Sequence, residues 1–109
     1  ATVKGQAVAE AQKLRDALTQ ADLLTAHTAV EDSYAARGPD GVLQLAQAYR
    51  DGKGLPANKV EAFRFFVVAS FMGSEDAVTA RDAMVTTLQP AQIASAQRAA
   101  AEWLRARKI

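Results

Sequence analysis

Apolar residues recur three and four residues apart along most of this chain, a spacing that places them on one face of an α-helix. The clearest stripe contains Val42, Leu45, Ala46 and Tyr49, and a denser apolar segment follows over residues 58–72. Most glycines and prolines lie between such segments, where they interrupt no helix. The pattern therefore predicts an all-α chain. The predicted helices span residues 6–19, 23–37, 41–51, 58–72, 75–88 and 90–107.

The two central helices are bounded by residues that are typical of helix ends. Asp40 is predicted to cap the first of them, since a carboxylate can accept hydrogen bonds from the unpaired N–H groups there. Gly52 stands where a helix commonly ends in a left-handed residue. Asn58 is predicted to cap the second, and Glu61 three residues later would complete a variant of the capping box.

Similar signals bound the last two helices. Gly73 is predicted to end the helix over residues 58–72, and Ser74 to cap the helix that follows. Pro90 suits the first position of the last helix, where its missing N–H costs nothing. Trp103 lies on the apolar stripe of that last helix, so we expect its ring to be packed against the rest of the chain.

The segment over residues 41–73 has a spacing of small and apolar residues that recurs in a known repeat. The residues with that spacing are Gly41, Leu45, Ala46, Tyr49, Gly52, Gly54, Leu55, Ala62, Phe65, Ala69, Ser70 and Gly73. On these positions the segment resembles one Sel1-like repeat, the bacterial relative of the tetratricopeptide repeat. Asn58 stands where that family usually has aspartate.

The rest of the chain matches this family less evenly. The segment over residues 77–103 resembles the tail often found after the last Sel1-like repeat. Its matching residues are Leu88, Pro90, Gln92, Ile93, Ala96 and Trp103. Gln89 replaces the usual threonine cap, which predicts a weaker helix start. Residues 1–38 match only by period, because Gly38 and Gly73 lie 35 residues apart.

The resemblance implies a fold for the whole chain. It is a short right-handed α-α solenoid of about three antiparallel helix pairs, forming one domain over residues 1–109. The best repeat is 41–73, and the helices over 74–107 cap it. One continuous helix over residues 6–37 is the alternative to two helices in that part of the chain.

The resemblance also implies a function, since Sel1-like proteins act as adaptors or scaffolds, often in the bacterial periplasm or envelope. We therefore expect a non-catalytic module that binds another protein or peptide. The expected location is periplasmic or secreted, with the cytoplasm as the alternative. An accessory or regulatory subunit of a larger enzyme complex is the second functional hypothesis, and a homo-oligomer built through the open solenoid end is a third.

Two sets of residues are candidates for partner binding. If the first helix of each pair lines the concave side, a partner would contact Gln44, Gln47, Tyr49 and Arg50. The second set comes from the helix over 58–72, which is apolar around most of its circumference. Either neighbouring helices cover that helix on both sides, or a partner covers a patch of it. The patch would contain Val67, Val68 and Phe71.

Composition and charge exclude several other functions. The 109 residues include 13 basic and 12 acidic ones, a balance without the concentrated basic face that nucleic-acid binding usually needs. No apolar run is long enough to predict a membrane span. His27 is the only histidine and there is no cysteine, so neither a metal site nor a catalytic set can be assembled from the sequence. We expect no cofactor and no catalytic residue.

Overall fold

The computed structural model describes residues 28–108, and every regular element in that part of the chain is helical. The all-α prediction is confirmed there. Residues 28–35 are helical and are called α1. The helices that follow are α2 (Pro39–Asp51), α3 (Lys59–Phe71), α4 (Glu75–Met84) and α5 (Pro90–Ala106), with a 3₁₀ turn over Val85–Thr87. The predicted helix over 6–19, the start of the one over 23–37, the one-helix alternative and His27 lie outside the described residues.

The chain divides into two units, of which the second begins at Ser33 and contains α2 to α5. The description that follows concerns this second unit.

The start of α2 differs from the prediction. Asp40 was expected to precede the helix as its cap, but α2 begins at Pro39 and Asp40 lies in its first turn. Proline fits that position because its missing N–H has no helical partner in any case. Gly41 is buried, and a Cβ added to it would collide with the carbonyl oxygen of Tyr34. Glycine therefore lets the end of α1 approach the backbone of α2.

The connection from α2 to α3 agrees with the sequence analysis except at Glu61. Glu61 was expected to complete a capping box, but the N–H of Asn58 donates to Tyr49 O at 2.8 Å instead. Gly52 ends α2 in the left-handed conformation, at φ 73°. The side chain of Asn58 caps α3 and accepts hydrogen bonds from the N–H groups of Val60 and Glu61, both at 3.1 Å. The carboxylate of Glu61 pairs with Arg64 one turn along the helix. These caps stop one helix and start the next within a short loop.

Helix α3 lies at the centre of this unit. It packs extensively against α2, α4 and α5, and it contributes three fully buried phenylalanines to the core. Its other buried positions include Ala62 and Ala69, whose small side chains let neighbouring helices approach closely. Three packing partners explain why α3 needs apolar residues around nearly its whole circumference.

An aromatic cluster connects three helices through Phe65 of α3. The Phe65 ring stacks on Tyr49 of α2 with centroids 5.8 Å apart, and it meets Trp103 of α5 edge-on at 5.7 Å. Trp103 is buried, as predicted, and the guanidinium of Arg107 lies 3.9 Å from the centre of its ring. This cluster fixes both α2 and α5 to the central helix.

Helix α4 begins as predicted but ends early. The Ser74 hydroxyl accepts a hydrogen bond from Ala77 N–H at 3.2 Å, which confirms the predicted cap. The helix was expected to reach residue 88, yet its α-helical part stops at Met84. The next residues are β-branched, and the hydroxyls of Thr86 and Thr87 donate to backbone carbonyls three residues earlier. Such bonds compete with helix continuation.

Helix α5 begins at Pro90, as predicted. The side-chain oxygen of Gln92 accepts a hydrogen bond from the N–H of Gln89 at 2.9 Å. The backbone N–H of the residue before the helix therefore has an acceptor in the first turn. The expected antiparallel pairing of α4 with α5 stays a prediction. Each of these helices packs against α3, but the two have almost no contact with each other. The last two helices are therefore connected to the unit mainly through the central one.

Candidate functional site

An apolar groove is lined by residues of these last two helices and of the central one. It has a volume of about 550 Å³ and is formed by one end of α3 together with α4 and α5. Its lining residues are Val67, Phe71, Arg81, Gln97, Ala101, Leu104 and Arg105. We call this set the apolar groove.

Phe71 is the most exposed large apolar residue in the described chain. It is the last residue of α3, and 74 % of its surface is open to solvent. Val67 lies one turn earlier on the same helix and is buried, so the wall of the groove runs from the core to the surface. An exposed phenylalanine beside further apolar lining is typical of an interaction surface.

Two arginines give this groove a positive charge. Arg81 is held in place: its Nη1 donates to Ser70 Oγ at 3.3 Å, and its Nη2 lies 3.1 Å from Asp82 Oδ1. The side chain of Arg105 has no hydrogen-bond or ion-pair partner among residues 28–108. No acidic residue of that part of the chain lines the groove. The groove thus combines an apolar wall with one fixed and one unengaged guanidinium.

A second, polar groove lies beside α2 and has a volume of about 310 Å³. Its lining residues are Tyr34, Arg37, Gln44, Gln47, Ala48, Asp51 and Lys53. Arg37 donates from Nη1 to Gln44 Oε1 at 3.0 Å, and its guanidinium lies 5.1 Å from the centre of the Tyr34 ring. Arg37, Gln44 and Tyr34 therefore contact one another within this groove.

The rim of the polar groove holds an ion pair between consecutive residues. Arg50 donates from Nε to Asp51 Oδ1 at 3.0 Å and from Nη2 to Oδ2 at 3.2 Å. This bidentate hydrogen bonding raises the pKa of Arg50 and holds the pKa of Asp51 below its usual value. Both side chains remain well exposed, so water and salt screen the pair.

The predicted binding residues of α2 separate into surface and core. Gln44 and Gln47 line the polar groove, and Arg50 is exposed next to it. Tyr49 was predicted to face a partner, but only 4 % of its surface is exposed. Its ring stacks on Phe65, so Tyr49 belongs to the core.

The predicted patch on α3 separates in the same way. Val67 and Phe71 line the apolar groove. Val68 was assigned to this patch, but it is fully buried and offers no surface to a partner. The physical reason is that three helices pack on α3, so only residues near its end remain open.

The sequence analysis missed the contributions of α4 and α5 to the apolar groove. Gln97, Ala101 and Leu104 lie four and three residues apart on α5 and so share one face of that helix. They stand next to the buried stripe of Ala96 and Ala100. A signal was therefore present as a second helical stripe, displaced by one residue from the first.

The described residues hold few groups suited to other chemistry. Within residues 28–108, no three His, Cys, Asp or Glu side chains are placed so that they could hold a metal ion. No helix in the same part of the chain is long and apolar enough to cross a membrane. No protein-family model, curated protein or solved structure matches this chain.

Proposed function

We propose that this chain is a non-catalytic protein-binding module and that its binding surface is the apolar groove. The observation that carries the proposal is the exposure of Phe71 beside further apolar residues of α3 and α5. Buried aromatic side chains and arginines supply most of the binding energy in protein interfaces. This groove offers one exposed aromatic ring with an arginine from each of two flanking helices.

The proposed architecture follows the Sel1-like resemblance. The pair α2–α3 would be one repeat, and α4 and α5 would be the capping helices of a short solenoid. Support comes from the close packing of α2 on α3 and from the caps at Gly52, Asn58 and Ser74. Because α4 and α5 have little contact with each other, the end of α3 at Phe71 stays open for a partner.

The size of the expected effect follows from burial. Moving a phenylalanine side chain from water into an apolar site contributes about 1.5–3 kcal/mol. A partner that covers Phe71 would gain part of this free energy. Loss of the ring should therefore weaken binding by about tenfold to a hundredfold, given about 1.4 kcal/mol for each factor of ten.

Selection from a library of displayed random peptides tests this proposal. The full 109-residue chain is the bait, and enriched peptides are measured again against Phe71→Ser. Peptides that bind the natural chain should lose affinity for that variant. Val85→Ser is the matched control, because Val85 is an exposed apolar residue that does not line the groove.

The proposal is wrong if no enriched peptide depends on Phe71. It is also wrong if Phe71→Ser and Val85→Ser weaken binding equally, since the effect would then not be specific to the groove. Circular dichroism on both variants checks that each remains helical.

A further inference from the structure

We infer that the apolar groove binds an acidic-apolar segment of a partner protein, in which a large apolar side chain lies close to Asp or Glu. The inference rests on the proposed binding function and specifies the chemistry of the partner. It is drawn from the charge of the lining and from the difference between its two arginines.

The first step is the absence of a counter-charge on the lining. Its seven residues include Arg81 and Arg105 but no carboxylate. A segment that fills the groove must bring these guanidinium groups into a drier environment, where an unpaired charge is costly. A partner carboxylate would remove that cost, and arginine binds carboxylates with two parallel hydrogen bonds.

The second step is the unequal state of the two arginines. Arg81 already contacts Ser70 and the carboxylate of Asp82, so part of its charge is balanced within the protein. Arg105 has no such partner among residues 28–108. We therefore expect Arg105 to contribute most of the preference for an acidic partner, and Arg81 to act mainly as a fixed wall.

The third step distinguishes a peptide from other anions with an apolar part. A fatty acid gains affinity when its chain is enclosed, but Phe71 stands at the open side of the groove. To cover the exposed ring of Phe71, a ligand must offer apolar surface beyond the group that it inserts into the groove. A polypeptide can offer such surface through its neighbouring residues. A nucleic acid would need a longer basic stripe than two arginines provide.

The experiment uses the peptides whose binding depends on Phe71. Each is synthesised in two forms, one as selected and one with every Asp and Glu replaced by Asn and Gln. We expect the selected peptides to be enriched in acidic residues beside a large apolar one. The neutral forms should bind the natural chain about tenfold more weakly, and added salt should reduce this difference.

A charge exchange then assigns the effect to one residue. Arg105→Glu should weaken the acidic peptides and should prefer versions in which Lys replaces their Asp or Glu. Arg98→Glu is the matched control, because Arg98 is exposed on the same helix but does not line the groove. Both variants change the net charge equally, so only a local effect can separate them.

Several results would overturn the inference. If Phe71-dependent peptides show no acidic preference and Arg105→Glu binds them unchanged, the inference is wrong while the proposed function stands. If the binding of no peptide depends on Phe71, the proposed function is wrong, and the inference that rests on it is wrong as well. Self-association that Phe71→Ser abolishes in analytical ultracentrifugation would assign the groove to a second copy instead. A fluorescent fatty acid that binds only when Phe71 and Arg105 are intact, and that the peptides do not displace, would assign it to a lipid.

Discussion

Phe65 and Phe71 belong to the same helix, yet one is fully buried and the other is largely exposed. The ring of Phe65 lies between Tyr49 and Trp103, which α2 and α5 bring to it. Phe71 is the last residue of α3 and lines the groove together with residues of α4 and α5. The apolar character of α3 is the same at both places, so the neighbouring helices decide which residue belongs to the core and which to the candidate site.

The two grooves of this chain differ in a similar way. In the polar groove, Arg37 contacts Gln44 and Tyr34, and Asp51 binds Arg50. The apolar groove leaves a phenylalanine ring exposed and one arginine without a partner among residues 28–108. We therefore propose the apolar groove, rather than the polar one, as the binding site, because covering the exposed ring of Phe71 would remove apolar surface from water.

The largest expected effect compares the two phenylalanines directly. Phe65→Ala should lower the free energy of unfolding by about 3–5 kcal/mol, because it removes a fully buried ring and leaves a cavity. Phe71→Ala should change it by less than about 0.5 kcal/mol, as exposed substitutions usually do. Urea denaturation, monitored by the fluorescence of Trp103, measures the free energy of unfolding of both variants. A large loss for Phe71→Ala would mean that its ring is covered in solution.

The second comparison concerns two alanines. Ala69 is fully buried in α3, so Ala69→Leu should destabilise the fold by about 1–3 kcal/mol through overpacking. Ala101 is exposed and lines the apolar groove, so Ala101→Leu should leave the stability nearly unchanged while partly filling the groove. The midpoints of urea denaturation separate the two outcomes. Equal stability for both variants would contradict the packing of α3 described here.

Several helix ends and buried residues could be predicted from the sequence, whereas only Val67 and Phe71 of the candidate site could. The caps at Asn58 and Ser74 were recognisable because their side chains bond to N–H groups only two or three residues away. Asp40 was misplaced, since Pro39 competes for the start of the helix. In α3, by contrast, periodicity gives no sign of which apolar residues are exposed. Val68 and Phe71 could be separated only by the positions of α4 and α5.

The third prediction concerns the start of the central helix. Asn58→Ala should cost about 1 kcal/mol, because two N–H groups at the beginning of α3 lose their acceptor. Ser74→Ala removes a single such bond, at the start of α4. Since α2, α4 and α5 all pack on α3, the loss at Asn58 should lower protection from hydrogen exchange throughout α2 to α5. The loss at Ser74 should be concentrated in α4. If Asn58→Ala lowered protection only locally and Ser74→Ala lowered it throughout α2 to α5, α3 would not be the helix that holds the unit together.

The smallest expected effect belongs to the ion pair at the rim of the polar groove. Hydrogen bonding to Arg50 holds the pKa of Asp51 below its usual value, so the folded state binds a proton at this carboxylate less readily than the unfolded state does. The stabilisation is therefore present above the unfolded pKa of about 3.9 and is lost as the pH falls through the lower folded value.

Asp51→Asn should be slightly less stable than the natural chain at neutral pH, and the difference should vanish in acid and shrink at high salt. Arg50→Gln should remove the same pH-dependent difference, and the double variant should add nothing to it. Urea midpoints measured from neutral pH to pH 2–3 provide the test, and a difference that stays constant across that range would show that the pair does not stabilise the end of α2.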